Sequence, residues 1–289
     1  MPSSFRTVTV LGAGVLGAQI AFQAANHGFP VTVYDVDDEA IARARSRFEA
    51  IVAQYSRELG DDSGAARRAA DGIAFSTDLG EAVGDADLVI EAVPENLDLK
   101  RSVYGAIADA APQHAVFATN SSTLLPSDLA DATGRPDRFL ALHFANHIWA
   151  QNTAEVMGTP RTDSAVVDRV AAFAEEIGMV PIRLHKEQPG YVLNSLLVPF
   201  LNAAADLLVR GVADVETIDT TWRIATGAPS GPFQIYDVIG LRTPYAIASA
   251  SAAKGDRRAG AFAEYLKTEY LDKGKLGRES GEGFYRYRS

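Results

Sequence analysis

Short β-branched and aliphatic runs alternate with alanine-rich stretches through about the first 185 residues. The runs at 7–11, 31–34, 73–76, 88–93, 116–119 and 140–144 have the length of buried strands. The stretches at 18–27, 40–58, 100–110 and 126–133 predict helices between most of them. Such alternation implies a parallel sheet covered on both faces, because each crossover helix must bury its apolar stripe against the strands. Two further runs, 154–157 and 180–184, flank a predicted helix at 164–177 and can extend the sheet. Residues 41–70, between the second and third strands, read as two helices broken at Gly60, Asp61, Asp62, Ser63 and Gly64, which predicts a helical arm projecting from the domain.

The pattern changes after Lys186-Glu187-Gln188-Pro189-Gly190, and the boundary is placed there, giving domains 1–186 and 187–289. From Tyr191 onward Leu193, Leu196, Leu197, Phe200, Ala204, Leu207 and Leu208 recur at helical spacing, with Pro199 as a kink and Gly211 as a stop. Further helices are predicted at 215–225, 244–253 and 261–273, so the second domain is largely α. The apolar stretch 192–209 is interrupted by Asn194, Ser195, Pro199, Asn202 and Asp206, each costly in hydrocarbon, so no membrane span is expected.

Of 289 residues, 47% are hydrophobic and 22% charged, which excludes a disordered or fibrous chain. Thirty-seven acidic against 27 basic side chains give a net charge of −10, so no nucleic-acid partner is expected. The absence of cysteine removes disulfides and thiolate chemistry and fits a reducing compartment, with the cytoplasm as the expected location. The first residues carry one Arg and run directly into a glycine turn, unlike a secretion signal.

That turn carries the clearest chemistry. Gly12-Ala13-Gly14-Val15-Leu16-Gly17 follows the first strand and opens a helix. Gly12 permits the tight turn, Gly14 lets a pyrophosphate approach the backbone beside Val15 and Leu16, and Gly17 lets helix and strand pack closely. Asp35, 21 residues beyond Gly14 at the end of the second strand, would accept hydrogen bonds from the adenosine ribose and repel a 2′-phosphate. NAD is therefore expected over NADP.

Polar groups also gather at other strand ends, where an open α/β sheet places its ligand. They include Glu95 and Lys100, then Asn120 with Ser122, then His143 with Asn146. Glu155 follows His143 by 12 residues, which allows a turn and a return that would bring carboxylate to imidazole and make His143 a base near neutral pH. Each has a plainer reading: His143 as a satisfied structural residue, Ser122 as a cap and Asn194 as a backbone partner. His143 and His147 mimic a metal pair, but their spacing suits a helix and this segment reads as strand then loop, so no metal is expected.

With these motifs in view, the chain resembles the short-chain L-3-hydroxyacyl-CoA dehydrogenases of the 3-hydroxybutyryl-CoA dehydrogenase type. The resemblance runs from LGAGVLGAQIA through EAVPENLDLKR, TNSSTL, LHFAN, KEQPGYVLNSLLVPFLNAA, GVADVETID and GAPSGPFQIYDVIGL to LGRESGEGFYRY. It implies an α/β, Rossmann-like doubly wound parallel sheet domain followed by an all-helical C-terminal domain that binds substrate and forms a homodimer, with the active site between them. It further implies that His143 is the general base oxidising a 3-hydroxyacyl-CoA thioester, oriented by Glu155, with Ser122 and Asn194 on the reacting oxygen. Glu95, Lys100 and Asn120 would lie near the cofactor, and Asn146 beside the substrate.

The sequence departs from that family after the histidine. Where the family reads Phe-Phe-Asn-Pro, this chain reads Phe144-Ala145-Asn146-His147, and Trp149 and Gln151 enter a loop expected to lie against the acyl group. Two alternatives follow: the same chemistry on another 3-hydroxy acid or a carrier-protein-bound acyl group, or a non-catalytic NAD-binding structural or sensor protein.

Overall fold

The computed structural model describes residues 3–61 and 64–287. The chain divides into two compact units that meet between Val192 and Leu193. In the first, eight strands form one sheet in the order β3-β2-β1-β4-β5-β6-β7-β8. The strands are β1 (Val8–Leu11), β2 (Val31–Tyr34), β3 (Ala74–Ser76), β4 (Leu88–Glu91), β5 (Val116–Thr119), β6 (Phe139–Phe144), β7 (Thr153–Gly158) and β8 (Val180–Leu184). The helices are α1 (Val15–Asn26), α2 (Asp38–Leu59), α3 (Ala65–Asp71), α4 (Leu79–Val83), α5 (Leu97–Ile107), α6 (Pro126–Leu129) and α7 (Ser164–Glu176).

β1 through β6 are parallel, as the alternation predicts, but β7 pairs with β6 antiparallel and β8 pairs with β7 parallel. The reason is the connection: residues 145–152 are too few for a crossover helix, so the chain must turn back beside the strand it has left. Strand order reverses at β1 and β4, whose carboxyl ends open the crevice where such sheets bind ligands. β4, β5 and β6 are buried along their whole length, which explains their unbroken apolar character.

The segment expected to form a helical arm holds α2 and α3, and α2 packs against the core of its unit. Asp37 caps α2 by accepting from Ala40 N at 2.7 Å, and Gly60 ends the helix at φ 69°. Between them Ala44, Phe48, Ile51 and Val52 bury one face in the core that includes Val10, Ile20 and Phe22 of β1 and α1. Of the break predicted between the two arm helices, Asp62 and Ser63 lie outside the described residues. Below β5, the buried Arg135 donates to the carbonyls of Ala108 and Pro112 past the end of α5, at 2.5 and 2.6 Å, and covers the Phe117 ring. A cation set against a helix C-terminus is electrostatically favoured and here fixes the turn that feeds β5.

The second unit contains α8 (Tyr191–Val209) from Leu193 onward, α9 (Val215–Thr226), α10 (Pro232–Ile239), α11 (Arg242–Ala253) and α12 (Arg257–Glu269). Leu201, Ala204 and Ala205 of α8 pack with Ile218, Phe233, Tyr236, Phe262 and Leu266. α8 is apolar enough and long enough to cross a membrane by length and composition, with mean hydropathy 1.7, although one face belongs to this core. The pattern missed α10, an eight-residue helix started by Pro232 and by Gln234 accepting from Gly231 N at 2.9 Å. Buried Asp237 accepts from Phe284 N, Tyr285 N and the Tyr287 hydroxyl at 2.8, 2.9 and 2.8 Å, which clips the C-terminal segment to α10.

Candidate active site

The glycine turn leaves β1 as expected. Gly12 adopts φ 93° and donates to Tyr34 O at 2.8 Å, while a Cβ on Gly17 would stand 1.9 Å from Gly12 O, so α1 sits against the turn at a distance only glycine allows. Space opens on the other side: a Cβ on Gly14 would meet nothing within 4 Å, and Val15 is exposed. No side chain caps α1, so the first-turn N–H groups, those of Val15, Leu16 and Gly17 among them, remain available to an anion. Asp35 accepts from Ala13 N at 2.9 Å and from Val36 N at 2.8 Å. It therefore braces the turn as well as standing at the position expected of the ribose acceptor. An open pyrophosphate cradle with a carboxylate at the second strand end fits a bound NAD.

His143 lies near the carboxyl end of β6 and is 4% exposed. In the antiparallel register it stands directly opposite Glu155 of β7, so both side chains leave the same face of the sheet. Its Nδ1 is 3.0 Å from Glu155 Oε2, and its Nε2 is 3.1 Å from Ser122 Oγ. Because a carboxylate only accepts, Nδ1 carries the proton and Nε2 presents its lone pair toward Ser122. The second Glu155 oxygen, Oε1, accepts from Val192 N at 2.8 Å. Both ring nitrogens of His143 are thus engaged within the chain. His147 turns instead to Glu58 Oε2 at 2.5 Å, so the two histidines do not form a metal pair.

The loop after β5 is fixed from both sides. Asn120 Oδ1 accepts from Phe144 N at 2.9 Å, tying it to β6, and Asn120 N donates to Glu91 O at 2.8 Å, tying it to β4. Glu95 Oε1 accepts from Ser121 Oγ, Thr123 N and Thr123 Oγ1 at 2.6, 2.8 and 2.8 Å. Burial pushes the Glu95 pKa up, but these hydrogen bonds and the nearby Lys100 ammonium outweigh it and hold the carboxyl at about 2. Lys100 itself lies behind the site, fully buried, with Nζ 2.5 Å from Glu91 Oε1 and 3.4 Å from Glu95 Oε2. It holds Glu91 and Glu95 in place.

Glu91 and Thr119 stand at strand ends as their segments predict, but the sequence assigned no role in this arrangement to them or to Tyr191. Thr119 Oγ1 donates to Glu91 Oε2 at 2.8 Å, and the Tyr191 ring lies on His143. Asn146 is exposed in the loop after β6. Asn194 lies on α8 in the second unit, half-buried. Trp149 does not join the site: its indole donates to Glu58 Oε2 at 2.8 Å, and its ring packs edge-on against Phe22 and Tyr55. An amphipathic ring gains most where its apolar body is covered and its N–H finds an acceptor, and α1 and α2 supply both.

A buried imidazole held between a carboxylate and a serine hydroxyl, near the carboxyl end of a strand in the same sheet as a dinucleotide turn, is equipped to move a proton next to a hydride transfer. Comparison with known proteins agrees. The model of the 3-hydroxyacyl-CoA dehydrogenase NAD binding domain matches residues 7–188, and that of the C-terminal domain matches residues 190–287. The mitochondrial hydroxyacyl-coenzyme A dehydrogenase of Sus scrofa is 33% identical over 97% of this chain and 91% of its own length. The crystal structure of (S)-3-hydroxybutyryl-CoA dehydrogenase from Ralstonia eutropha superimposes with a TM-score of 0.82 at 30% identity, covering 99% of this chain and 100% of that one. A diketoreductase described for dual catalysis of dicarbonyl compounds superimposes with a TM-score of 0.94 at 60% identity, covering 98% of this chain and 99% of its own. With both domain models matched in order and relatives aligned over nearly its whole length, the chain belongs to the 3-hydroxyacyl-CoA dehydrogenase family of NAD-binding oxidoreductases.

Proposed function

We propose that the protein reversibly oxidises (S)-3-hydroxyacyl-CoA to 3-oxoacyl-CoA with NAD, with the four-carbon thioester as its reference substrate. The observation that carries this reading is the imidazole of His143 held by Glu155 on one nitrogen and facing Ser122 with the other. Bound NAD supplies the acceptor for the hydride leaving C3. His143 Nε2 takes the 3-hydroxyl proton, and the Glu155 carboxylate stabilises the imidazolium that results. The Ser122 hydroxyl donates to the same oxygen as its charge changes, and Asn194 is assigned a second polar contact there through the family resemblance. In the reducing direction His143 returns the proton. Glu95, anchored by Ser121 and Thr123, keeps the Ser122 loop in register.

The 60% identity to a diketoreductase favours a second reading, in which the carbonyl β to the reacting one belongs to a free dicarbonyl compound rather than a thioester. Following NADH absorbance with acetoacetyl-CoA and, separately, with 2,4-pentanedione discriminates them. The first reading expects turnover with the thioester at a kcat/KM at least about tenfold above the diketone. The reverse order replaces it with the second, and NADH binding without turnover on thioesters, carrier-bound acyl groups or diketones leaves the sensor alternative.

Asp35 gives the cofactor test. Asp35→Ala removes a charged acceptor worth about 1.5–3 kcal/mol, so NADH affinity, read by fluorescence titration, is expected to fall about 10- to 100-fold and the gap to NADPH to narrow. An unchanged preference removes Asp35 from the cofactor site.

The second unit exposes Leu196, Trp222, Ile224, Val238 and Ile247, with Ile224 at 79% and Leu196 at 69% exposure. Exposed apolar side chains of this kind support an interface, and a homodimer formed through this unit is part of the proposal. Sedimentation velocity of the purified protein is expected to give a dimer; a monomer at all concentrations rejects it.

A further inference from the structure

We infer that Tyr191 is a positioning residue for the proton-transfer group, setting His143, Glu155 and the Ser122 loop in register at once. The kinetic part of this inference rests on the function proposed above; the geometric part stands without it. Four independent observations meet at this residue. Its ring lies flat on the His143 imidazole, with centroids 4.3 Å apart and planes 6° from parallel. Its hydroxyl donates to Ser121 O at 2.7 Å, one residue before Ser122. Its backbone adopts φ 54°, a left-handed conformation that a bulky side chain takes only when its surroundings impose it. The next residue, Val192, then delivers its N–H to Glu155 Oε1, leaving Oε2 for His143.

Packing alone would explain a buried tyrosine, and Tyr191 does cluster with Ala141 and Met157. It would not explain why the same residue carries the positive φ, the coplanar ring and the link to Ser121. The stacked phenol blocks one face of the imidazole, so the ring cannot tilt out of line with Ser122. When His143 takes a proton, the cation faces an aromatic ring rather than an aliphatic wall. The Val192 N–H fixes the carboxylate plane, which in turn fixes the tautomer.

Two variants test this. Tyr191→Leu keeps apolar bulk and loses the ring; Tyr191→Phe keeps the ring and loses the hydroxyl. For Y191L, kcat is expected to fall about 30- to 100-fold while KM and the NADH dissociation constant stay within about threefold. Y191F is expected to recover kcat to within about fivefold of the parent. A carbon-detected or proton–carbon NMR spectrum gives a second readout that needs no turnover. Among the five histidines, the His143 Cε1–H signal, identified by its loss in His143→Gln, is expected upfield through the ring current, to remain so in Y191F and to relax in Y191L. Unchanged kcat in folded Y191L, or equal losses in kcat, KM and NADH affinity, overturns the positioning role. If Y191L does not fold, the parent and Y191F decide: no upfield His143 signal in either overturns the inference. A parent that shows the shifted signal but no turnover leaves the geometry standing and rejects the proposed function instead.

Discussion

Replacing His143 with alanine is expected to lower turnover by about 10³-fold or more while NADH binds within about threefold of the parent. The basis is that both imidazole nitrogens are committed, Nδ1 to Glu155 and Nε2 toward Ser122, on a buried ring. Removing the ring deletes the proton acceptor that faces Ser122 and touches nothing at the glycine turn of β1. His143→Gln is the sharper version, since an amide nitrogen can still donate to Glu155 but cannot take a proton at neutral pH. Single-turnover kinetics with NADH and acetoacetyl-CoA, beside fluorescence titration of NADH, read the two quantities separately. Turnover within tenfold of the parent for both variants would move the base to another residue.

The second large effect belongs to the turn itself. Gly17→Ala places a methyl 1.9 Å from the Gly12 carbonyl oxygen and 3.3 Å from the Ala92 Cβ, and Gly12 is held in turn by its bond to Tyr34 O. Neither neighbour is a flexible side-chain tip, so α1 must move away from β1 and carry its first-turn N–H groups out of position. Loss of about 1–3 kcal/mol of stability is expected from the overpacking, with NADH affinity down about 100-fold or more from the displaced helix end. Gly14→Ala is the contrast, because nothing lies within 4 Å of its added Cβ. It is expected to weaken NADH binding while leaving the thermal midpoint within about 2 °C of the parent. If G14A and G17A proved equally destabilised, close helix packing would not be what Gly17 secures.

These expectations were open to different degrees in the sequence. The strands at β1, β2 and β5 and the glycine turn are local features: β-branched runs and a G-x-G-x-x-G string declare themselves over a few residues. Asp35 follows from its distance to that string. The encounter of His143 with Glu155 was legible only as a spacing that permits a return, because the antiparallel register that makes them neighbours is a property of two paired strands. What stayed hidden is what depends on contacts distant in the chain. Lys100 was visible as a charged residue near a strand end, but its burial against Glu91 is set by the packing of α5 on β4. Trp149 looked like a pocket residue because the family resemblance placed its loop there, whereas Phe22, Tyr55 and Glu58 claim it from two other helices. Tyr191 was counted at the head of a helix, and neither its positive φ nor its place on His143 has a local signal.

The β6–β7 hairpin carries a consequence for how this protein can change. His143 and Glu155 are held opposite one another by the ladder of the sheet, while residues 145–152 merely connect the strands and fasten to α1 and α2 through Gln19 and Glu58. The reacting pair and the loop beside it are therefore separate inheritable parts. Loops of different length or composition can be grafted between Phe144 and Thr153 without resetting the distance between base and carboxylate, provided the strand register survives. A lineage, or an engineer, can rewrite that connection and keep the proton relay intact.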